Sequence, residues 1–144
     1  MSNKYYITTP IYYVNDKPHI GHAYTSVATD FIARFMRLKG HDVRFQTGTD
    51  EHGLKIQKAA EGKGKEPLEL CDENSQIFRD LTTTLDLSND DFIRTTEQRH
   101  IDGASFLWNR LHQRNQIYLG EYTGWYSIND ETFYNEKDLS LIHI

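Results

Sequence analysis

Two histidines three residues apart are the first feature of this sequence suited to chemistry. His19 and His22 flank Ile20 and Gly21. Residues three apart share one face of a helix, so both imidazoles can act on the same group. The N–H groups at a helix start attract phosphate, and imidazole donors beside them stabilise the charge that develops in phosphoryl or nucleotidyl transfer. Gly21 has no side chain, which lets a flat group lie on the backbone.

A second polar segment, residues 47–53, reads Thr-Gly-Thr-Asp-Glu-His-Gly. Asp50 can hold an ammonium group through a charge-assisted hydrogen bond. The structural alternative is that Thr49 or Asp50 caps the helix that follows. Because Thr49 alone would satisfy that cap, Asp50 and His52 would remain unexplained, which favours contact with a ligand.

Two other interpretations of the histidines remain open. An isolated His-x-Gly-His can be a plain helix start with two solvated imidazoles. His19, His22, His52 and Asp50 also include usable metal ligands, but zinc sites usually have tighter spacing dominated by imidazole or thiolate. We therefore expect no metal site.

The apolar pattern predicts the elements that position these segments. Aromatic and β-branched residues predict a strand over residues 4–9, and alternation predicts another over residues 41–47. Residues 10–18 are predicted as a loop. Intervals of three and four predict a helix over residues 19–39 with one apolar face, of the kind that normally packs on a core. That face consists of Ile20, Tyr24, Val27, Phe31, Phe35 and Leu38.

Downstream, the pattern predicts one helix that follows Gly53 and ends at about residue 61. Two more helices are predicted over residues 67–85 and 97–113. The last helix should bury Ile101, Ala104, Leu107, Trp108 and Leu111. Strands are predicted over residues 91–94 and 117–126, with a return at 133–134. This alternation predicts an α/β fold, a Rossmann-like parallel sheet with flanking helices. Ligands bind at the carboxyl ends of such strands, so both polar segments should lie in one cleft.

Composition excludes several classes of protein. With 16 basic and 21 acidic side chains, the net charge of −5 does not suit a non-specific binder of nucleic acid. A single cysteine, Cys71, allows no internal disulfide, as in reducing compartments. No apolar run approaches the length of a membrane span, and the N-terminus lacks the apolar core of a signal peptide. We expect a cytoplasmic protein with no membrane partner.

The two polar segments together resemble a known family. Residues 8–23, TTPIYYVNDKPHIGHA, are similar to the first motif of class I aminoacyl-tRNA synthetases. The Pro-Ile-Tyr-Tyr-Val-Asn lead and the Thr-Asp-Glu-His-Gly segment resemble the methionyl branch most closely, over about residues 4–139. The resemblance implies that residues 1–116 form the first half of the Rossmann-like catalytic domain. Residues 117–139 would begin an inserted connective domain, and residues 140–144 stay unassigned.

The resemblance also implies an activity, that of a methionine–tRNA ligase. Such an enzyme uses ATP with Mg²⁺ to form methionyl-adenylate and transfers methionine to tRNA(Met). His19 and His22 would contact the ATP phosphates and the transferring α-phosphoryl group. Gly21 would lie beneath the adenine. Methionine would bind Ile11 and Tyr13 through its side chain and Asp50 through its ammonium. The implied supports of the second segment are Glu51, His52 and Gly53.

Two family features are missing from this sequence. The Lys-Met-Ser-Lys-Ser type motif that neutralises pyrophosphate is absent, so the chain alone is expected to be inactive, with most tRNA contacts outside it. Zinc-bearing relatives carry Cys-x-x-Cys where this chain has Ser127 and Asp130. Serine does not replace a thiolate ligand. We expect no structural zinc here, and a hairpin over residues 124–134 held by aromatic side chains.

Other functions remain possible at this point. The chain can instead be another nucleotidyl transferase with the same His-Ile-Gly-His segment, or a non-catalytic nucleotide-binding domain. A metal-dependent hydrolase fits the residues least well. Dependence of pyrophosphate exchange on the amino acid separates the first possibility from the ligase. In a non-catalytic domain, Asp50→Ala would leave the affinity for methionine unchanged.

Overall fold

The computed structural model describes residues 3–138. The chain divides into two compact units, one up to Ile101 and one from Asp102 onward. The predicted domain boundary after residue 116 stays a prediction, and the unassigned tail, residues 140–144, lies outside the described residues. No helix in the described part of the chain combines the length and the apolar character needed to cross a bilayer.

The first unit is built on a parallel sheet of four strands, β1 (Lys4–Thr8), β2 (Tyr12–Tyr13), β3 (Asp42–Asp50) and β4 (Asp91–Arg94). The long strand β3 pairs with all three others. Gln46 pairs with both β1 and β4, and Thr49 pairs with both β2 and β4. β1 and β2 therefore follow each other along one edge of β3, and β4 occupies the other edge.

Helices flank this sheet, as the α/β prediction requires. They are α1 (Ile20–Leu38), α2 (Leu54–Lys63) and α3 (Pro67–Thr84). A further helix, α4 (Gln98–Gln113), begins in the first unit and continues into the second. α1 packs against β1 and β3, and α3 packs against β3 and α2. The core between them consists of Tyr12, Val14, Ile56, Cys71, Phe78 and Phe92. The predicted Rossmann-like class is confirmed.

The apolar face of α1 points away from this core. Ile20, Phe31 and Leu38 are 85%, 70% and 87% exposed. The face of α1 that is buried is small or polar: Ser26, Thr29, Asp30 and Ala33. Small side chains let the helix approach the sheet closely, and the polar ones are satisfied because Asp30 accepts hydrogen bonds from Ser88 and Arg34. The predicted helix is confirmed, but its buried face is the opposite of the one its apolar stripe indicates.

The sheet extends further than the sequence predicted. β3 continues through residues 48–50, which were expected to be loop, and β2 forms within the expected loop 10–18. Gly48 makes the extension possible, because a Cβ there would lie 2.0 Å from the Ile93 carbonyl oxygen. Pairing on both edges keeps this part of β3 extended where polar residues alone suggest a loop.

In the second unit, the prediction for α4 is wrong in its packing. None of its residues is buried, and Leu107 and Trp108 are more than half exposed. Periodicity shows which residues share a face, but not whether anything covers that face. The predicted strand over residues 117–126 is also wrong in length, since regular pairing begins only at Trp125.

A hairpin and then a short 3-10 helix (Glu136–Asp138) end the described chain. In the hairpin, β5 (Trp125–Ser127) pairs antiparallel with β6 (Thr132–Tyr134). The Phe133 ring lies 5.0 Å from the rings of both Tyr122 and Tyr126, so aromatic contacts do hold the hairpin. Hydrogen bonds add to them. Ser127 Oγ donates to Asp130 Oδ2 over 2.7 Å, and the Tyr134 hydroxyl donates to the same oxygen over 3.2 Å.

Candidate active site

The two histidines of the first segment cap α1 by bonding to its own backbone. His19 is the N-cap in an extended conformation, and its Nδ1 accepts the Gly21 N–H over 3.1 Å. His22 Nδ1 accepts the His19 N–H over 3.0 Å. This is a capping box built from two imidazoles, and it satisfies backbone donors that a helix start leaves free.

The capping bonds set the neutral tautomer of both rings. An imidazole whose Nδ1 accepts a hydrogen bond carries its proton on Nε2 when it is neutral. The ring centroids lie 3.8 Å apart, so two Nε2–H donors belong to one compact pair. Burial, followed by the neighbouring charge of His19, lowers the pKa of His22. Each ring therefore offers an Nε2–H hydrogen-bond donor when it is neutral, and burial favours that neutral form for His22.

Aromatic side chains pack against the His22 ring and hold it in place. Its ring meets the rings of Tyr12 and Phe78 edge-on, at 4.8 and 5.1 Å. Tyr12 in turn stacks on Phe78 at 5.6 Å, and its hydroxyl hydrogen-bonds Ser26 Oγ on α1. His22 is thereby half-buried on a rigid base, while His19 remains exposed.

A cleft of about 620 Å³ opens beside this pair. Ile11 and Tyr13, at 40% and 46% exposed, line it together with His19, Gly21 and His22. A Cβ on Gly21 would lie 2.9 Å from Cε1 of His19, so the His19 ring itself requires glycine at this position. The sequence prediction offered only a ligand as the reason for Gly21.

The strand β2 connects the two polar segments. Tyr12 pairs with Thr49 and Tyr13 pairs with Asp50 at the end of β3. The Tyr12 ring faces His22, whereas Tyr13 shares its side of the sheet with Asp50, because neighbouring residues of a strand alternate. β2 therefore lies between the histidines and Asp50.

The second segment does not line the cleft beside the histidines. Glu51, His52 and Gly53 line a cleft of about 500 Å³, and Thr47 lines another of about 340 Å³ together with Ile11 of the first segment. The reason is the length of β3: because it runs on to Asp50, the turn that was expected beside the histidines begins three residues later.

The alternative in which Thr49 or Asp50 only caps the following helix is wrong. The N-cap of α2 is Gly53, with φ of 110° and no side-chain cap, so neither Thr49 nor Asp50 caps that helix. The Thr49 hydroxyl donates to Glu51 Oε1 over 2.8 Å instead. His52 Nε2 lies 3.4 Å from the Thr95 carbonyl oxygen. Asp50 is half-buried at the strand end.

Glu51 is the most tightly held group of the site. Its side chain is fully buried, and Arg94 binds both of its oxygens, with Nε at 2.7 Å and Nη2 at 2.9 Å. Burial alone would raise the pKa of Glu51, but hydrogen bonds from Arg94, Thr96 and Thr49 outweigh it and lower that pKa. Sequence reasoning missed Arg94, because no local pattern marks a partner 43 residues away.

Comparison with known proteins matches this fold and these segments to one family. The model of class I tRNA synthetases of the M type covers residues 5–142. The chain belongs to the class I tRNA synthetases. Among this family's curated members, the methionine–tRNA ligase of Rickettsia bellii is 60% identical over 140 residues, and that of Mesorhizobium japonicum is 54% identical over 138. These matches cover 97% and 96% of this chain.

Solved structures of class I synthetases show the same architecture. A Mycobacterium tuberculosis methionyl-tRNA synthetase in complex with methionyl-adenylate is 48% identical, with a TM-score of 0.90 over 96% of this chain and 27% of that one. A LeuRS of Agrobacterium radiobacter shares the fold alone, at 20% identity and a TM-score of 0.76. This synthetase chain spans about 28% of the length of the Rickettsia bellii relative.

Potential metal ligands are dispersed over the described part of this class I synthetase chain. Within residues 3–138, no three His, Cys, Asp or Glu side chains cluster closely enough to hold an ion. Ser127 and Asp130, the residues on which the expectation of no zinc rests, bond to each other. The expectation that this hairpin holds no structural zinc stays a prediction.

Proposed function

We propose that this chain is the substrate-activating part of a methionine–tRNA ligase. In that reaction the methionine carboxylate attacks the α-phosphorus of ATP, pyrophosphate leaves, and methionyl-adenylate passes its methionine to the terminal ribose of tRNA(Met). The observation that carries the proposal is the imidazole pair at the start of α1, with both Nδ1 atoms occupied and both Nε2–H donors available beside a cleft. Membership of the class I tRNA synthetases and the methionine–tRNA ligases among its relatives support it.

His19 and His22 would act on the phosphates. Neutral Nε2–H groups donate to phosphoryl oxygens as their charge grows in the transition state, which is where stabilisation accelerates the reaction. The capping box fixes the two rings before substrate arrives, so no reorganisation is required. ATP would enter with Mg²⁺, and its adenine would lie on the backbone of Gly21.

Ile11, Tyr13 and Asp50 would bind methionine. Ile11 and Tyr13 offer apolar and aromatic surface, and a thioether sulfur interacts favourably with an aromatic ring. Asp50 is the register partner of Tyr13, and its carboxylate would accept the ammonium. Glu51, His52 and Gly53 would support this segment rather than touch substrate.

The remaining parts of the reaction belong to the rest of such an enzyme. This chain spans about 28% of its Rickettsia bellii relative, and it contains no Lys-Met-Ser-Lys-Ser type motif. We therefore expect residues 3–138 alone to give near-background ATP–pyrophosphate exchange, with most of the tRNA surface elsewhere. The absence of zinc in the hairpin and the cytoplasmic location remain predictions.

A chimera tests the proposal. Residues 3–138 of this chain replace the matching segment of the Rickettsia bellii methionine–tRNA ligase, and ATP–pyrophosphate exchange is measured with methionine, leucine and isoleucine. We expect exchange with methionine alone, and a loss of about 100-fold in kcat for His22→Asn, the order of magnitude for one transition-state donor. His112→Asn on α4 is the matched control and should keep full activity.

Two outcomes would contradict the proposal. Exchange that does not depend on any amino acid would favour another nucleotidyl transferase. ATP binding without exchange, unchanged by Asp50→Ala in methionine affinity, would favour a non-catalytic nucleotide-binding domain.

A further inference from the structure

The buried carboxylate of Glu51 is saturated with hydrogen-bond donors. Each of its oxygens accepts one bond from the Arg94 guanidinium and one from a threonine hydroxyl, Thr49 on Oε1 and Thr96 on Oε2. The Glu51 N–H donates to Thr95 Oγ1 over 2.8 Å. A bidentate arginine fixes the plane of a carboxylate as well as its position, so this residue has little freedom to turn.

Arg94 connects three elements through this contact. It is the last residue of β4, it binds Glu51 just after β3, and its Nη2 lies 2.6 Å from Asp72 Oδ1 on α3. Its partners are 43 and 22 residues away along the chain. The position of Glu51 is therefore set by the tertiary fold and not by the local sequence.

Fixing Glu51 also fixes the residue before it. The Thr49 hydroxyl and the Glu51 carboxylate are bonded, so both lie on the same side of the chain. Asp50, between them, points to the other side, the side of its register partner Tyr13. With Thr49 paired in the strand and Glu51 bound by Arg94, both flanking peptides fix the direction in which the Asp50 side chain leaves the backbone.

We propose that Arg94 is a positioning residue for amino-acid binding: through Glu51 it orients Asp50 toward the substrate ammonium. This rests on the proposed role of Asp50 in methionine activation. Arg94 itself does not touch substrate. A residue with this role affects methionine selectively, whereas a residue that only stabilises the fold affects methionine and ATP alike.

Steady-state ATP–pyrophosphate exchange by the chimera separates these possibilities. Arg94→Lys keeps the charge but replaces the planar fork by a single point donor. We expect the methionine KM to rise about tenfold and the ATP KM to stay within about twofold, the order expected for an orientation defect in one substrate subsite. Thr96→Val removes one donor at less risk to folding, and should raise the methionine KM about threefold.

Arg99→Met is the matched control. Arg99 also forms ion pairs at the β4–α4 junction, with Asp91 and Glu97, but it makes no bond to Glu51. Its KM values for both substrates should stay unchanged. A rise in both KM values for Arg94→Lys and Thr96→Val, or no rise for methionine, overturns the proposal. If the unsubstituted chimera lacks methionine-dependent exchange, the proposed function itself fails, and the role of Arg94 fails with it.

Discussion

The two segments of the candidate site are positioned in opposite ways. His19 and His22 are held by hydrogen bonds to backbone groups within three residues, at an exposed helix start. Asp50 is held through Glu51, whose arginine partner is 43 residues away and whose carboxylate is buried. One half of the site is assembled by local geometry and the other half by the tertiary fold.

This difference has consequences for stability and for change. The capping hydrogen bonds of the histidine pair tolerate alterations elsewhere, because the chain around the pair supplies their partners. A group clamped by distant elements is lost when any of those elements moves. We therefore expect substitutions far from Asp50 to disturb it, whereas the capping hydrogen bonds of the histidines depend on residues near themselves, even though the His22 ring also packs on the distant Phe78.

The largest effect is expected where β3 and β4 meet. Gly48→Ala places a Cβ 2.0 Å from the Ile93 carbonyl oxygen, and backbone cannot yield as a flexible side chain can. The strands must separate, which should cost about 4 kcal/mol of opening free energy in this segment, the upper range for single substitutions. Hydrogen exchange of residues 42–50 in the chimera measures it.

Gly62→Ala is its control. Gly62 lies within α2 with nothing near its added Cβ, so alanine should stabilise that helix by up to about 1 kcal/mol. Equal protection of residues 42–50 in Gly48→Ala and the unsubstituted chimera would show that close strand approach does not hold the second segment.

The Glu51 clamp should weaken in acid. Because its folded pKa lies below the ordinary value of 4.5, the unfolded chain takes up the proton first as pH falls. The stabilisation is thus complete above about pH 4.5 and is lost below it. Protection of residues 49–51 against hydrogen exchange, corrected for intrinsic rate, should fall in this range, and Glu51→Gln should flatten the fall. An unchanged pH profile in Glu51→Gln would show that other carboxylates carry the effect.

The histidine cap should also weaken as pH falls, but from a higher pH than the contacts of Glu51. Burial and the charge of His19 lower the pKa of His22, so the folded chain favours the neutral ring that accepts the His19 N–H. Its contribution is complete above the ordinary pKa of 6.5 and is lost as pH falls below that value. Exchange of residues 20–23 should accelerate there while residues 42–50 stay protected. Simultaneous loss in both segments would contradict independent positioning.

The smallest effect concerns the exposed face of α1. Phe31→Ser should change stability by no more than about 0.5 kcal/mol in residues 3–138, since the ring is 70% exposed, and it should raise solubility. Ala33→Leu, on the fully buried face, should cost about 1–3 kcal/mol through overpacking. Solubility measurements and urea unfolding of both variants check this. Greater destabilisation by Phe31→Ser would show that the stripe is covered.

The sequence predicted what depends on local pattern. The α/β order, the helix after His19 and the hairpin at Phe133 follow from spacing and residue type, and the structure contains them. The capping role of both imidazoles could also have been predicted, because it involves two residues that are three positions apart. The buried Arg94–Glu51 pair was not, since pairing at this distance depends on which strands become neighbours.

The α1 helix shows a second limit of the sequence. Its apolar residues correctly predicted a helix, but Ser26 and Ala33 face the sheet and Phe31 does not. Amphipathic periodicity identifies a face that can be covered, and within residues 3–138 this face stays exposed. The strand β2 was not predicted from the sequence for a related reason. Its two residues form a strand only because Thr49 and Asp50 lie beside them.

Binding of a non-hydrolysable methionyl-adenylate analogue to the chimera, measured by calorimetry, tests most directly whether both segments act on one ligand. His22→Asn and Asp50→Asn should each weaken binding by about tenfold or more, as expected for loss of one charge-assisted hydrogen bond. Asp42→Asn, at the far end of β3, should leave the Kd unchanged. An unchanged Kd in either His22→Asn or Asp50→Asn would contradict the account, because that residue would not belong to the site of the adenylate.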